Sequence, residues 1–515
     1  MDRRSFLCGV LMGSMAAAFG RRAAARAAEP PPHIVYILAD DLGYGDVTCL
    51  NSECKIPTPN IDGIARDGMI FTDAHSGSAV CTPTRYGILT GRYSWRSRLK
   101  QGVLNGYDTP LIETGRMTVA SLLKLRGYRT VCVGKWHLGL GWTATNGRMP
   151  RSGNVDYAQP VADGPRALGF DRSFIIPASL DMPPYCYVED DRVVEAPAET
   201  APGREGKQLF REGECAPGFR PEDVLPTLTN KAVAYIDEHA REHAGEPLFL
   251  YFPLNAPHTP ILPVTPYAGS TNTNEYGDFV AQVDGTVGQV RDALERAGML
   301  ENTLFIVTSD NGCAPMAGLD ELHAKGHYPS YHFRGHKADI FDGGHRIPFL
   351  ARWPGRVPAS ATYGETICLT DLMATAAAIV GERLPDNAAE DSVSLVPALT
   401  GETQGPVREA TVHHSVSGFF AIRQGPWKLI LCGHSGGWSD PKPKDARKGN
   451  LHRVQLYNLA DDPGEKTNLE AEHPEIVERL TRLLESYVAS GRSTPGAPQP
   501  NDGKTNIWGP GAGQE

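Results

Sequence analysis

The sequence lacks three features that would each indicate a class of protein. It has no basic surplus, since 50 Lys and Arg stand against 60 Asp and Glu and the formal net charge is −10, whereas nucleic-acid-binding domains are normally basic. Downstream of the N-terminus it has no apolar run long enough to span a bilayer. No pair among its ten cysteines has C-x-x-C spacing, which argues against a structural zinc site. We therefore expect no nucleic-acid partner and no membrane insertion of the mature chain.

The composition indicates a soluble globular chain with more than one core. Hydrophobic residues make up 41% and charged residues 21% of the 515 residues, which is ordinary for a folded soluble protein. A single hydrophobic core rarely serves more than about 300 residues. We therefore expect one large domain with a smaller one, or two to three domains.

The N-terminus is typical of a bacterial export signal. Arg3 and Arg4 precede the modest apolar stretch GVLMGSMAAAFG, and small residues near Ala27 offer a cleavage point. The paired arginines favour the twin-arginine route, with residues 1–28 removed and the mature chain periplasmic or secreted. The alternative interpretation is a basic N-terminal helix that frays. Export would permit disulfides among the remaining cysteines, although the sequence does not give their pairing.

Four apolar runs end abruptly in polar residues. The runs are HIVYILADD (33–41), YRTVCVGKWHLG (128–139), PLFLYFPLNAPH (247–258) and TLFIVTSDNG (303–312). Continuous apolar strands are typical of a parallel sheet covered on both faces. Amphipathic helical patterns such as YGDFVAQVDGTVGQVRDALERAG lie between them, and this alternation predicts an α/β fold. Because ligands of open α/β sheets bind at the carboxyl ends of strands, we expect the polar ends to form one site.

The pattern changes near residue 400. FFAIRQGPWKLILCG (419–433) predicts a hairpin that turns near Gln424 and Gly425, and PEIVERLTRLLESYVAS predicts a terminal helix. We therefore expect a large catalytic domain at 29–404, a small α+β domain at 405–492 and a flexible Gly- and Pro-rich tail at 493–515. Residues 188–222 form a polar insertion that either covers the pocket mouth or is a plain surface loop.

Two of the strand ends carry hard oxygen donors. Asp40 and Asp41 follow one apolar run, and Asp310 and Asn311 follow another. Carboxylate and amide oxygens suit Ca²⁺ or Mg²⁺, and they suit zinc poorly because no thiol or imidazole belongs to the set. The alternative is that each pair caps the helix after its strand. The repetition of the same pattern at two strand ends favours a metal site.

The stretch CTPTRYGILTGR (81–92) carries the most specific pattern in the chain. Its C-x-P-x-R followed by L-T-G-R resembles the signature of the type I sulfatases, with seven fixed positions filled. The segments ADDLGYGD, GKWHLG, APHTP, SDNG, RGHKADIFDGGHRIPFLARWPG and LYNLADDPGEKTNL are similar to further family segments. The resemblance covers nearly the whole mature length. It implies an alkaline-phosphatase-like α/β/α sandwich followed by a smaller C-terminal domain.

The resemblance implies that Cys81 is modified after translation. In the family a formylglycine-generating enzyme oxidises this cysteine to formylglycine, an aldehyde, and C-x-P-x-R is the recognition tag. A serine nucleophile would be left with a stable sulfate ester. A hydrated aldehyde has two hydroxyls on one carbon, so one attacks sulfur and the other then expels sulfate as the carbonyl re-forms.

The resemblance also implies roles for the strand-end residues. A Ca²⁺ ion, or Mg²⁺ since the ligand set permits either, is held by Asp40, Asp41, Asp310, Asn311 and the modified Cys81. Arg85, Lys135 and Lys337 surround the hydrate and the sulfate, His137 deprotonates the second hydroxyl, and His258 protonates the leaving alcohol.

Some positions leave alternatives open. Lys337 stands in GHK where the family usually has GGK, so His336 either contacts substrate or is a surface residue. For His345, His413 and His414 the alternatives are recognition of sugar hydroxyls and ordinary packing.

The function that follows is an exported sulfatase acting on sulfated carbohydrate. SLDMPPYCYVEDDRV is similar to the branch acting on 6-sulfated galactose or N-acetylgalactosamine. Two alternatives remain: a formylglycine-dependent phosphonate or phosphodiester hydrolase with the same site, and an inactive homologue that binds sulfated glycans.

Overall fold

The computed structural model describes residues 30–448 and 451–510, so the predicted export signal at 1–28 lies outside the described residues. The strands are β1 His33–Asp40, β2 Met69–Phe71, β3 Ala74–His75, β4 Arg129–Lys135, β5 Arg172–Ile176, β6 Val188–Glu189, β7 Arg192–Val193, β8 Glu199–Ala201, β9 Gly213–Cys215, β10 Leu248–Pro257, β11 Thr303–Ser309, β12 Phe349–Arg352, β13 Ala361–Tyr363, β14 Ile367–Cys368, β15 Thr411–His414, β16 Phe420–Gln424, β17 Trp427–Ile430 and β18 Gln455–Asn458. The helices are α1 Pro59–Arg66, α2 Cys81–Thr90, α3 Val119–Leu125, α4 Val224–Glu242, α5 Glu275–Arg296, α6 Leu319–Ala324, α7 Asp342–His345, α8 Leu372–Ile379, α9 Val396–Leu399 and α10 Pro474–Ser490.

A ten-stranded sheet forms the centre of the molecule. Its order is β13-β2-β12-β11-β1-β10-β4-β5-β6-β7. The strands β11, β1, β10, β4 and β5 run parallel to one another, and antiparallel pairs flank them on both sides. The four apolar runs thus form neighbouring parallel strands, which confirms the predicted α/β architecture.

The central strands are buried on both faces. All ten residues of β10 and all seven of β11 are buried, and alternate side chains of a strand point to opposite faces. One helix group, α1, α4 and α5, packs together, and a second group consists of α2, α3 and α8. The sheet is therefore covered on each side, as the unbroken apolar runs require.

A second, smaller sheet follows in the C-terminal part. It is antiparallel in the order β15-β16-β17-β18, and α10 packs on β16 and β17. Gln424 pairs with Trp427 across the hairpin, at the predicted turn. The buried residues of α10, Leu480, Leu484 and Tyr487, recur at helical spacing. The smaller antiparallel C-terminal domain is thus confirmed, whereas a boundary at 404/405 stays a prediction because one compact unit begins at Pro31.

Residues 493–510 differ from the expected loose tail. Buried Arg92 donates to the Pro500 carbonyl at 2.8 Å, and buried Arg96 donates to Asn501 Oδ1 at 3.0 Å. Ile507 is buried in the C-terminal apolar cluster. The Gly- and Pro-rich composition excludes a regular element here. It does not exclude docking, since carbonyl groups without ladder partners can accept hydrogen bonds from buried guanidinium groups.

The insertion at 188–222 is a folded structure. It supplies β6 and β7 at the sheet edge and the separate pair β8–β9. Arg211 donates to Asp181 Oδ2 at 2.8 Å, and Ile261 donates its N–H to the Lys207 carbonyl at 2.8 Å. The insertion therefore contacts the loops that follow β5 and β10.

Two further expectations concern cysteines and membranes. The nine cysteines of the described part of the chain are free thiols, so the disulfides that export would permit are not formed there. Within residues 30–448 and 451–510, the structure contains no helix with the length and apolarity needed to cross a bilayer.

Candidate active site

The carboxyl ends of the central strands bring the predicted polar residues together. Asp40 ends β1, Lys135 ends β4, His258 follows β10 and Asp310 follows β11. Because these strands are parallel neighbours, their ends meet at one edge of the sheet. Lys135 Nζ lies 2.6 Å from Asp40 Oδ2, although 95 residues separate the two in sequence. The expectation of one site drawn from distant segments is thus met in the structure.

Helix α2 delivers Cys81 to this edge. Cys81 is its first residue and is 3% exposed, and every residue of the helix is buried. Pro83 sits in the first turn, where the N–H that proline lacks would have no intrahelical partner. Arg85 lies one turn after Cys81 and therefore on the same face. Gly91 ends the helix with φ 65°, a left-handed conformation that glycine adopts without strain.

Three buried cations pair with three buried carboxylates around Cys81. These pairs are Arg85 Nη2 with Asp310 Oδ2 at 2.7 Å, Lys135 Nζ with Asp40 Oδ2 at 2.6 Å, and Lys337 Nζ with Asp41 Oδ1 at 2.6 Å. The six side chains carry formal charges that cancel. Binding of a dication would leave the site net positive, which suits an anionic ligand.

The oxygen donors fit a hard cation. Oxygens of Asp40, Asp41 and Asp310 lie within 4.8 Å of one another. Asn311 donates through Nδ2 to Asp41 Oδ1 at 2.7 Å. In the described part of the chain, Asp40 Oδ1 and Asn311 Oδ1 are buried without a hydrogen-bond partner. Buried acceptors normally have partners, so these two oxygens are suited to a Ca²⁺ or Mg²⁺ ion. A second group consists of one ligand atom each from Asp40, Cys81 and His258, and these atoms also lie within 4.8 Å of one another.

Burial and neighbouring charges shift the ionisation of this cluster. Burial raises the pKa of Asp40, but Lys135 and His258 outweigh it and hold the pKa of that carboxyl well below its usual range. Burial raises the pKa of Asp310, with Asp40 adding to the rise. Burial also raises the pKa of the Cys81 thiol. Since thiolates rather than thiols are nucleophiles, an unmodified Cys81 is poorly suited to attack.

Two site residues adopt left-handed backbone conformations. Asp41 has φ 68° and His137 has φ 56°, a region that Asp and His enter more often than most residues. Each follows a strand end, so the turn redirects the side chain. His137 Nε2 lies 2.7 Å from the Leu104 carbonyl, which assigns the ring proton to Nε2. Its Nδ1 is buried and unpartnered within residues 30–448 and 451–510.

The sequence interpretation missed one member of the site. Ser179 Oγ lies 3.1 Å from Lys135 Nζ and 3.4 Å from His258 Nδ1. His258 Nε2 lies 3.7 Å from Asp41 Oδ2. Ser179 follows the end of β5, a strand that the apolar runs of the sequence did not include.

Burial lowers the pKa of His137 well below its usual range, and Lys135 and Arg85 add to this effect, so the imidazole is neutral.

The four other histidines that the sequence analysis singled out lie outside the cluster around Cys81. His336 contacts the Lys337 carbonyl and Asp339. His345, His413 and His414 are at most 1% exposed. His345 and His413 stack with ring centroids 3.9 Å apart. Their contacts are with other parts of the protein interior, so the structure does not place them among the groups that surround Cys81.

The fold and the site together define the class of protein. A mixed sheet with parallel central strands, which carries this cluster at its carboxyl edge, places the chain among the hydrolases of the alkaline-phosphatase-like superfamily. A family description, Sulfatase, matches residues 32–382. The chain is 33% identical to an N-acetylgalactosamine-6-O-sulfatase of Bacteroides thetaiotaomicron over 501 residues, covering 88% of this chain and 93% of that protein. Human arylsulfatase A is 31% identical, with 90% of this chain and 88% of that protein covered. A solved Bacteroides thetaiotaomicron sulfatase described in work on glycosaminoglycan metabolism has a TM-score of 0.76 at 32% identity, covering 89% of this chain and 99% of that one.

The chain belongs to the sulfatase family. It is a sulfuric ester hydrolase whose family generally uses a metal ion and formylglycine.

Proposed function

We propose that this chain is an exported exo-acting sulfatase that removes 6-sulfate from N-acetylgalactosamine or galactose in sulfated carbohydrate. The observation that supports it most is the convergence of Cys81, three carboxylates and three cations at one sheet edge. The substrate class is supported by the relative named N-acetylgalactosamine-6-O-sulfatase. Arg3 and Arg4 support twin-arginine export to the periplasm or beyond.

A Ca²⁺ ion would be held by Asp40, Asp41, Asp310 and Asn311 together with the modified Cys81. When bound, such an ion offsets the negative charge of hydrate and sulfate and acidifies the nucleophile. The unpartnered Asp40 Oδ1 and Asn311 Oδ1 support this assignment.

Conversion of Cys81 by a formylglycine-generating enzyme would supply the reactive group. The hydrated aldehyde provides one hydroxyl to attack sulfur and a second to release sulfate. The buried, protonated thiol described above supports the need for this conversion. The position of Cys81 at the first turn of α2 also places backbone N–H groups near the anion.

Arg85, Lys135 and Lys337 hold the sulfate and the developing negative charge. Their partners Asp310, Asp40 and Asp41 fix each cation in place before substrate arrives. Fixed charges need no rearrangement during the reaction, which is why such groups stabilise transition states strongly.

Two histidines move protons. His137 presents its bare Nδ1 as the base for a hydroxyl at position 81, while the Leu104 carbonyl holds the other ring nitrogen. His258 supplies a proton to the sugar oxygen as it leaves. Ser179 positions both Lys135 and His258 because its hydroxyl reaches each of them.

The test combines maturation with a panel of sulfated sugars. The chain is co-expressed with a formylglycine-generating enzyme, and peptide mass confirms the loss of about 18 Da at Cys81. Sulfate release is then measured on 6-sulfated and 4-sulfated N-acetylgalactosamine, 6-sulfated galactose and 6-sulfated N-acetylglucosamine. We expect the 6-sulfated galacto-configured sugars to react fastest, and Cys81→Ala to retain less than about one-thousandth of kcat.

Matched aryl sulfate and aryl phosphonate esters provide the comparison of reaction type. A higher kcat/KM on the phosphonate would replace the sulfatase proposal with the phosphonate hydrolase alternative. A verified aldehyde with no sulfate release from any ester would refute the sulfatase proposal, whereas an unshifted Cys81 peptide from the native host would favour the inactive glycan-binding homologue. Fast release from the 4-sulfate but not the 6-sulfate would refute the substrate assignment alone.

A further inference from the structure

Three histidines from distant elements meet away from the active site. His75 ends β3, His345 ends α7 and His413 lies in β15 of the C-terminal sheet. All three are 0% exposed. One ring nitrogen from each lies within 4.8 Å of the others. Three imidazoles rarely converge in a fully buried core, since each carries polar nitrogens that need partners.

The outer nitrogen of each ring has an oxygen partner. His75 Nε2 lies 2.9 Å from Asp73 Oδ1, and His345 Nε2 lies 3.1 Å from the Ile340 carbonyl. His413 Nδ1 lies 3.2 Å from the Ser76 carbonyl. In metal sites the ligating histidine almost always donates its other N–H to a carboxylate or carbonyl. Each ring therefore has one outer oxygen contact of the kind that metal ligands make. Arg423 Nη1 also lies 3.1 Å from His75 Nε2, and Lys428 Nζ lies 3.2 Å from His345 Nε2.

The inner nitrogens face one another instead of protein donors. His75 Nδ1 and His345 Nδ1 are 2.9 Å apart. His413 Nε2 is buried and has no hydrogen-bond partner within residues 30–448 and 451–510. With the outer nitrogens protonated, all three inner nitrogens carry lone pairs. A shared cation satisfies them together.

A hydrogen-bond chain without a metal ion leaves one buried ring nitrogen of the three histidines without a partner. In it Lys428 Nζ, 3.2 Å away, donates to His345 Nε2, His345 Nδ1 donates to His75, and His75 Nε2 donates to Asp73. In the reverse chain Arg423 Nη1, 3.1 Å away, donates to His75 Nε2, His75 Nδ1 donates to His345 Nδ1, and His345 Nε2 donates to the Ile340 carbonyl. Either chain leaves the buried lone pair of His413 Nε2 without a partner, which is costly in a core.

We propose that His75, His345 and His413 form a second metal site, which binds a late first-row dication such as Zn²⁺. An all-imidazole donor set suits Zn²⁺, Co²⁺, Ni²⁺ or Cu²⁺, whereas Ca²⁺ and Mg²⁺ require oxygens. The absence of C-x-x-C spacing does not bear on this donor set. Zn–N bonds of about 2.1 Å place tetrahedral nitrogens roughly 3.4 Å apart. Binding would therefore move His75 Nδ1 and His345 Nδ1 apart from their present 2.9 Å and would turn the stacked rings of His345 and His413 so that both face the ion.

The surroundings carry formal charges that cancel. The carboxylates of Asp73, Asp342 and Glu465 and the cations Arg346, Arg423 and Lys428 form one buried ion-pair network around the rings. Burial lowers the pKa of His345 and His413 well below the usual range, which keeps the rings in the neutral, ligating form. The ion would tie β3 and α7 to β15, so its role is structural.

The test measures metal content and stability of the full-length protein. The protein is loaded with Zn²⁺, then passed over a chelating resin, and zinc per chain is determined by mass spectrometry. We expect about one retained zinc per chain. Chelation at elevated temperature should lower Tm, and Zn²⁺ should restore it. His413→Phe keeps the ring stack but removes the lone pair, and it should lose both the zinc and the Tm response.

Two control variants locate the ion. Asp41→Asn alters the predicted Ca²⁺ site and should keep the zinc. His452→Ala should also keep the zinc, because the native His452 side chain is 66% exposed and lies outside the three-histidine cluster. Co²⁺ provides a readout that needs no variant, because a tetrahedral site with three imidazoles gives visible absorption bands much stronger than those of an octahedral all-oxygen site. Retention of zinc by His413→Phe, loss of zinc in Asp41→Asn, or less than about a tenth of an equivalent in the native chain would each overturn the proposal.

Discussion

At the residue scale, the site depends on side chains whose neighbours fix their charge and direction. Each cation of the cluster has its own carboxylate, and each of Asp41 and His137 turns into the site through a left-handed backbone. Such conformations are retained where the surrounding structure enforces them. The residue types were predictable from the sequence, but the left-handed turns were not, because φ depends on tertiary contacts that a motif does not specify.

His258→Ala should separate substrates by their leaving groups. A sugar alkoxide leaves poorly without a proton, so we expect kcat on a 6-sulfated sugar to fall about 100- to 10,000-fold. Nitrophenolate leaves unaided, so the loss on 4-nitrophenyl sulfate should be at least ten times smaller. The measurement is kcat on both esters for the matured enzyme.

The exposed His452→Ala serves as the matched control and should leave both values unchanged. Equal losses on the two esters would contradict proton donation by His258. They would indicate instead a role for His258 in binding the sulfate, since both esters share that group.

At the element scale, position along the sheet decides which loops meet. The four apolar runs were predictable as parallel strands because unbroken apolar sequence needs cover on both faces. Ser179 was missed because its strand, β5, was not among those runs, and only its pairing with β4 brings the loop to Lys135. The insertion at 188–222 was ambiguous for the same reason, since its contacts with Asp181 and Ile261 arise from folding.

The junction of β1 and β10 predicts an acid sensitivity. His33 Nδ1 accepts the Leu248 N–H at 3.1 Å, a bond that requires the bare nitrogen. Burial, with a contribution from His239, lowers the pKa of His33 from 6.5 to about 4. The native state thus binds fewer protons than the unfolded state, so this stability is present above pH 6.5 and is lost as pH falls to about 4.

His33→Asn tests this prediction, because its amide oxygen can accept the same N–H and does not titrate. The urea midpoints of native and variant chains are compared from pH 8 to about pH 4. We expect the native chain to lose stability relative to the variant as the pH falls. A constant difference over this range would show that His33 does not couple folding to protons.

At the scale of the whole molecule, the C-terminal segments complete the core. Residues 493–510 bring Pro500 and Asn501 to the buried guanidinium groups of Arg92 and Arg96. Arg92 is the last residue of the signature stretch 81–92, so the distant C-terminal segment contacts the same stretch that begins with Cys81. Composition predicted a flexible tail because it reports local propensity, and docking is a long-range property.

Truncation after Arg492 should therefore destabilise the protein. Buried donors left without acceptors cost about 1–3 kcal/mol each, and Ile507 would leave the C-terminal cluster. We expect a drop in Tm of several degrees relative to a chain ending at Pro510, measured by calorimetry.

A chain ending after Arg492 with an unchanged Tm would show that these contacts contribute nothing to stability. Arg96→Met in the chain ending at Pro510 provides a comparison, because Met fills the space without a donor. Combined with the truncation, it should show less than additive loss if the guanidinium contacts explain the effect.

The sequence by itself determined the α/β class, the parallel strands and the site residues between Asp40 and Lys337 that meet at the sheet edge. It could do so because apolar runs report burial directly and because reactive groups recur at fixed spacing within short motifs. Only the tertiary structure decided the place of Ser179, the docked segment at 493–510 and the meeting of His75, His345 and His413. These depend on contacts between residues from 44 to 408 positions apart, and the local sequence of each residue does not specify its partner.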